Sequence, residues 1–318
     1  MADRQSPTAG PFGWFSDTLT SASAAGLKFS SPQPPESMTV EVNGLELRLL
    51  DWGNPRQPDL LFIHGFAQQA HSWDFAALAL QDLFHVVAMD LRGHGESGWS
   101  TSRAYSFDDF FSDIGPFISA ARLRDPVICG LSLGGRLAYT YAAEHPRELT
   151  ALIVAESTPE PHRQGGDSIR RFTSGPAEFD SLDELVERVK AFTPDRSHEQ
   201  IRGSIVHSVR QDAVGKWTWK YDPAIRSLLE QPEQAEKRWQ ALAKVNVPTL
   251  FVGAEHSDVT DAALLERMMD TVPGSRSVII PRAGHRVAGD NPAAFNLTVR
   301  RFLSSLLRQM PSPVEKRS

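Results

Sequence analysis

The sequence predicts an α/β fold in which one mostly parallel β-sheet carries helices on both faces and is interrupted by a helical insertion. Three observations lead there. Strand-sized apolar runs alternate with helix-sized amphipathic segments from about residue 60 to 156. The alternation stops between 158 and 245, where helical patterns, proline and tryptophan appear without an evident buried strand, and it resumes from 246 to about 307. The longest apolar runs, such as 60–63 and 152–155, are strand-sized, and their alternation with helical segments argues a mostly parallel sheet covered by helices.

Composition is compatible with one such domain and excludes other classes. Of 318 residues 41% are hydrophobic and 23% charged, enough to bury a sizeable core. Thirty-three Lys and Arg stand against 39 Asp and Glu, a net charge of −6, so no nucleic-acid partner is expected. The longest apolar runs, such as 60–63 and 152–155, fall far short of the roughly 18 residues that a membrane span needs, and the N-terminus lacks an apolar signal core. Cys129 is the single cysteine, which rules out an intrachain disulfide and a cysteine zinc cluster. These points predict a cytoplasmic protein with no membrane span.

Residues 1–37 are rich in Ser, Thr, Ala, Gly and Pro and read as a tail, partly disordered or docked. Its aromatics Phe12, Trp14 and Phe15 are expected to dock on the body. Alternating residues from Met38 through a turn at Asn43-Gly44 to Leu50 predict a hairpin. Segments 60–64, 85–90, 127–129 and 149–156 then read as strands, and 72–83, 106–121 and 133–144 as helices. After the insertion, 248–253 and 277–280 read as strands, and 261–269 and 292–307 as helices. The division is therefore a first core part at 38–157, an insertion at 158–245, a second core part at 246–308 and a C-terminal tail at 309–318. No repeat of 20–50 residues is visible.

The chemistry concentrates at Gly130-Leu131-Ser132-Leu133-Gly134-Gly135, between a strand and a helix. This is the G-x-S-x-G pattern of a nucleophile on a sharp strand-to-helix turn, where glycines let strand and helix approach closely. The helix N-terminus beside Ser132 favours negative charge developing on an attacked carbonyl. At the end of an earlier strand, His64-Gly65-Phe66-Ala67 would aim the Phe66 N–H at the same oxygen, and with the Leu133 N–H this makes a two-donor oxyanion hole. His64 itself reads as structural. His285, in a loop after the strand at 277–280, is the candidate general base. Two acids lie between Ser132 and His285 in suitable places, Asp258 after the strand at 248–253 and Glu156 at the end of the strand at 149–156. Chain order does not separate them, and Asp258 is preferred because its loop follows the strand immediately before that of His285. Glu255 and Asp261 are lesser candidates, readable as a loop charge and a helix cap. Cys129, just before the elbow, reads as a buried packing thiol.

Together His64-Gly65-Phe66, the segment Asp90-Leu91-Arg92-Gly93-His94-Gly95-Glu96-Ser97, the elbow at Ser132 and Ala283-Gly284-His285 resemble the α/β-hydrolase fold serine hydrolases over residues 38–157 and 246–308. The resemblance implies an eight-stranded sheet, an architectural role for 90–97, and a helical lid at 158–245. Trp217, Trp219 and Phe172 of that lid are candidate pocket residues, and an apolar aromatic lid favours small, moderately hydrophobic ester or lactone substrates. Ser132 in the elbow separates the chain from epoxide hydrolases and haloalkane dehalogenases, whose nucleophile is an aspartate. Ester or lactone hydrolysis without metal or organic cofactor is the expected activity. Carbon–carbon bond hydrolysis, amide hydrolysis, acyl transfer or cofactor-free perhydrolysis on the same residues remain open, as does a ligand sensor built on the same fold.

Overall fold

The computed structural model describes residues 13–29, 31–193, 196–232 and 234–308. Helix α1 (Gly13–Ala24) is followed by strands β1 (Glu36–Val42), β2 (Leu45–Asp51) and β3 (Asp59–Ile63). Then come α2 (Asp74–Leu80), β4 (His85–Met89), α3 (Phe107–Ser112), α4 (Ile114–Ala120), β5 (Val127–Leu131), α5 (Leu133–Glu144) and β6 (Ala151–Ala155). Beyond β6 lie α6 (Arg163–Thr173), β7 (Glu178–Phe179), α7 (Leu182–Phe192), α8 (His198–Ile205), β8 (Val209–Gln211), β9 (Trp217–Trp219) and α9 (Ala235–Leu242). The chain closes with β10 (Thr249–Ala254), α10 (Ala262–Thr271), β11 (Arg276–Ile280), α11 (Val287–Asp290) and α12 (Pro292–Leu307).

The main sheet has eight strands in the order β1-β2-β4-β3-β5-β6-β10-β11. β1, β2 and β4 pair antiparallel, and every pair from β4 to β11 is parallel. The expected hairpin joins β1 to β2: Asn43 and Gly44 both have positive φ, 50° and 75°, which is the backbone of a two-residue turn whose twist matches the strands. All five residues of β4, β5 and β6 are buried, and alternate residues enter opposite layers. Leu61, Ile63, Ile128 and Val154 join Phe110, Phe117, Leu137 and Leu242 on one face. Leu60, Phe62, Cys129 and Ile153 join Trp73, Leu80, Phe295 and Leu303 on the other. Each such side chain contributes about 1.5–3 kcal/mol by leaving water, and polar residues in these strands are correspondingly few. Cys129 is fully buried and burial pushes its thiol up, as befits a packing group.

From β3 the chain runs outward to β4 and then returns across β3 to β5, so strand order reverses between β3 and β5. In parallel sheets that point opens a crevice at the carboxyl ends of the strands. The register places Ile63 of β3 beside Gly130 of β5, and Leu131 of β5 beside Ala155 of β6. The segments Gly65-Phe66, Ser132 and Glu156 thus leave three adjacent strands at one edge.

Two features depart from expectation. Among the described residues the insertion holds α6 to α9, a 3₁₀ helix at Pro223–Glu230 and also a three-stranded antiparallel sheet, β7-β9-β8, whose strands of two or three residues are too short to show a period in sequence. The N-terminal segment holds α1, whose Gly, Ser and Thr content gives little intrinsic helix preference. Tertiary packing supplies what propensity does not: Phe15 is buried in the layer that contains Trp52 and Trp73, and Trp14 meets the rings of His71 and His207 edge-on at 4.9 and 5.3 Å. Phe12 and residues 309–318 lie outside the described residues.

Burial holds four histidines neutral and sets a pH dependence of stability. His64 is pushed down to about 4, and His71, His94 and His207 to about 3, from an ordinary value of 6.5. Below 6.5 the unfolded chain takes up protons that the folded chain refuses, so stability falls as pH drops from 6.5 toward 4. Asp74, raised by burial to about 7 from 3.8, acts in the opposite sense. His85, raised to about 9 by hydrogen bonds to Asp51 and Asp59, is protonated in both states below 6.5. Four rings outweigh one carboxyl, and the denaturant midpoint is expected to fall between pH 6.5 and 4. A midpoint that is flat or rises toward acid contradicts this account.

Candidate active site

Ser132 is the single residue between β5 and α5 and adopts φ 54°, ψ −113°. A non-glycine residue in this region stores roughly 1–3 kcal/mol, which the surrounding structure must hold in place. The flanking glycines show how. A Cβ on Gly130 would lie 2.2 Å from the Gly134 carbonyl oxygen, and one on Gly134 would lie 2.2 Å from the Ile63 carbonyl oxygen. Strand, elbow and helix therefore touch backbone to backbone, and Ser132 N–H is fixed to the Ala155 oxygen at 3.0 Å. Gly134→Ala is expected to lower stability by at least about 3 kcal/mol, because the obstruction is main chain that cannot rotate away. Chemical denaturation checks it, and a variant as stable as the parent would refute the close approach.

The loop after β3 abuts the elbow: a Cβ on Gly65 would lie 3.3 Å from Ser132 Cβ. Its conformation is held by two histidines. His94 Nδ1–H donates to the Arg92 oxygen at 2.9 Å, and Nε2 accepts the Ala67 N–H at 3.1 Å. His64 Nδ1–H donates to the Gly65 oxygen at 2.7 Å, and Nε2 accepts the Leu91 N–H at 3.0 Å. Both rings are structural, as expected of His64, and His94 holds the loop from within the segment 90–97. Among the described residues the Phe66 N–H has no acceptor, and the Leu133 N–H, first in α5, has none within its helix.

Glu156, the first residue after β6, is fully buried and has φ 48°. Its carboxylate collects three donors. Oε1 accepts the Ala254 N–H at 2.7 Å; Oε2 accepts Ser257 Oγ–H at 2.6 Å and His285 Nδ1–H at 3.2 Å. The preference for Asp258 is thereby corrected: the carboxylate that meets His285 is Glu156. Asp258 makes no side-chain hydrogen bond or ion pair among the described residues, and the residue of its loop that turns inward is Ser257. The physical reason is strand order, since β6 lies between β5 and β10. Glu255 accepts the Arg282 N–H, and Asp261 caps α10 through the Leu264 N–H. With Nδ1–H engaged by Glu156, the remaining nitrogen of a neutral His285 ring is Nε2, a proton acceptor.

A cavity of about 470 Å³ opens beside Ser132, with Phe66, Leu133 and Ser157 in its wall. Trp217, Trp219 and Phe172 do not line it, which corrects the pocket assignment. Trp219 is buried against Phe172, Phe179 and Tyr221 inside the insertion, in the same hydrophobic layer as Phe110 and Leu137. Ile169, Leu228 and Arg238 of the insertion line the cavity instead.

A sequence model of the alpha/beta hydrolase family matches residues 60–296, about three quarters of the chain. The chain belongs to the alpha/beta hydrolase family. It is 29% identical over 280 residues to an esterase of Mycobacterium tuberculosis, covering 85% of this chain and 90% of that one. It is 27% identical over 275 residues to a putative 2-succinyl-6-hydroxy-2,4-cyclohexadiene-1-carboxylate synthase of Bacillus subtilis, covering 83% and 97%. Among solved structures, the M. tuberculosis esterase superposes with a TM-score of 0.74 at 26% identity, over 93% of this chain and 99% of that one. An E-2-(acetamidomethylene)succinate hydrolase gives 0.75 at 23% identity, over 85% and 99%. The protein is an enzyme of this hydrolase fold.

One side-chain cluster away from Ser132 has metal-ligand composition. His71, Asp74 and His207 bring potential ligand atoms within 4.8 Å of one another. The two rings stack at 3.8 Å, however, so their in-plane lone pairs run parallel, and Arg48 donates to His71 Nε2 at 3.3 Å. This alpha/beta hydrolase uses the cluster as a seat for Trp14. No helix among the described residues is long and apolar enough to cross a membrane.

Proposed function

We propose that the protein is a serine hydrolase that cleaves a carboxylic ester or lactone through an acyl-enzyme intermediate. Ser132 Oγ attacks the carbonyl carbon while His285 Nε2 takes its proton, and Glu156 orients the imidazole and stabilises the imidazolium. The Phe66 and Leu133 N–H groups receive the carbonyl oxygen as it becomes negative. His285 then protonates the leaving alkoxide, a water attacks the acyl-enzyme with the same base, and Ser132 is regenerated with release of the acid. Residues 158–245 act as a lid, and a cytoplasmic location fits the lone buried thiol.

The observation that carries this reading is the Glu156–His285 pair at the strand edge next to a serine held at positive φ. Ser132 Oγ makes no side-chain hydrogen bond among the described residues, which agrees with catalytic contacts that tighten only around substrate. The esterase relative supports ester chemistry in particular. The test is incubation with a fluorophosphonate, followed by peptide mass spectrometry, alongside turnover of short aryl esters. One covalent adduct on the peptide holding Ser132, with loss of turnover, is expected. An unlabelled Ser132 with turnover intact overturns the proposal.

A further inference from the structure

Glu156 brings a carboxylate into a fully buried position, where its charge is sustained by donors that replace the water it has lost. Two of its three donors come from the end of β10 and the loop that follows: the main-chain N–H of Ala254 and the hydroxyl of Ser257. The third is His285 itself.

Ser257 is fixed as a donor. Its oxygen accepts the N–H groups of Val259 at 3.1 Å and Thr260 at 3.0 Å, and these two bonds occupy its lone pairs. The hydroxyl proton is left for Glu156 Oε2 at 2.6 Å, a charge-assisted bond of the short, strong kind. The turn that holds the hydroxyl is anchored in its own right. Val259 and Thr260 are buried, the Val259 oxygen accepts the His162 N–H at 3.0 Å, and a Cβ on Gly165 would lie 2.6 Å from Val259 Cγ2. His285 Nδ1–H meets the same Oε2 at 3.2 Å, the longer of the two contacts. One oxygen therefore serves both partners, and the strength of its bond to Ser257 sets how much of its charge faces the imidazole.

We infer that Ser257 is a positioning residue of the reaction: it acts through Glu156, keeping the carboxylate charged and aimed while His285 becomes an imidazolium. This rests on the reading of Ser132 as nucleophile. The loop after β10, where chain order placed the acid itself, contributes instead the hydroxyl that supports an acid on the neighbouring strand β6.

The test is the pH profile of kcat/KM on a short nitrophenyl ester. Without the hydroxyl, Oε2 presents more of its charge to His285, and the Glu156 carboxyl holds its proton to higher pH. Both effects raise the pH at which a neutral imidazole and a charged carboxylate coexist. The acid limb of Ser257→Ala is therefore expected about half a unit to one unit above that of the wild type. Its kcat should fall by about 10 to 100-fold, the equivalent of one hydrogen bond to a charged group, with KM within about threefold. Ser257→Thr keeps the hydroxyl and should restore both. Ser257→Cys, a weaker donor of similar size, should give a limb between those of wild type and alanine, and it carries the test if the alanine variant does not fold. A limb at the wild-type pH in the alanine and cysteine variants, whatever their kcat, makes Ser257 a residue of loop architecture and overturns the inference. Fluorophosphonate labelling of the same proteins separates the two readings. A labelled wild-type Ser132 with an unmoved limb removes the positioning role alone, whereas an unlabelled wild type with turnover intact removes the nucleophile and the role with it.

Discussion

Ser132→Ala is expected to reduce kcat on any ester substrate by on the order of 10⁴ to 10⁶-fold, the range in which a triad loses its nucleophile while its oxyanion donors survive. The donors at Phe66 and Leu133 belong to the backbone and persist in the variant, so residual turnover above water is part of the expected result. The stability of the fold should respond in a way that separates catalysis from architecture. Ser132 sits at φ 54° because Ala155 O, Gly130 and Gly134 fix the turn around it, and alanine inherits the same strain. Glycine does not, since it reaches positive φ without a Cβ penalty. Ser132→Gly should therefore be as inactive as Ser132→Ala and more stable than it by about 1 kcal/mol. Kinetics on a nitrophenyl ester and urea unfolding of the three proteins measure both. Wild-type turnover in Ser132→Ala would remove the serine from the chemistry altogether.

Most of what positions that serine is legible in the sequence. Continuous apolar runs such as Leu60 to Ile63 and Ala151 to Ala155 alternate with helical segments, which fits a parallel sheet buried on both faces, and Asn43-Gly44 suits the tight turn of a hairpin. Gly130 and Gly134 announced a backbone crossing by their spacing around Ser132. The acid was another matter. Glu156 and Asp258 both follow strands, and the choice between them depends on which strand lies next to β5. That is a property of strand order, decided by crossovers through 93 residues between β6 and β10 that carry no local signal. The pocket assignment failed for a related reason: Trp217, Trp219 and Phe172 are apolar enough to line a pocket or to fill a core, and burial of Trp219 against its neighbours shows the second use.

Glu156→Gln is expected to lower kcat by about 10³ to 10⁴-fold, whereas Asp258→Asn should leave it within about threefold. The argument lies in the donors that meet the carboxylate. Ala254 N–H, Ser257 O–H and His285 Nδ1–H all point at Glu156, which as a carboxylate accepts all three. Glutamine offers one oxygen and an NH₂ group that must face at least one of those donors. If the oxygen stays with the main-chain N–H, the NH₂ turns toward Ser257 and His285. Ser257 can accept only by giving up the Val259 or Thr260 N–H, and His285 only by moving its proton to Nε2. That tautomer cannot take the proton from Ser132, so the base is lost although the ring has not moved. Stability should drop as well, by about 1–3 kcal/mol, since a fully buried charged acceptor has been replaced by a group that mismatches its partners. Asp258 has no such partners, and its substitution should change neither rate nor stability beyond those of an ordinary loop position. Paired measurement of kcat and the urea midpoint in the two variants decides the assignment. A larger loss of kcat in Asp258→Asn than in Glu156→Gln would return the role to Asp258 and make the Glu156–His285 contact a structural one.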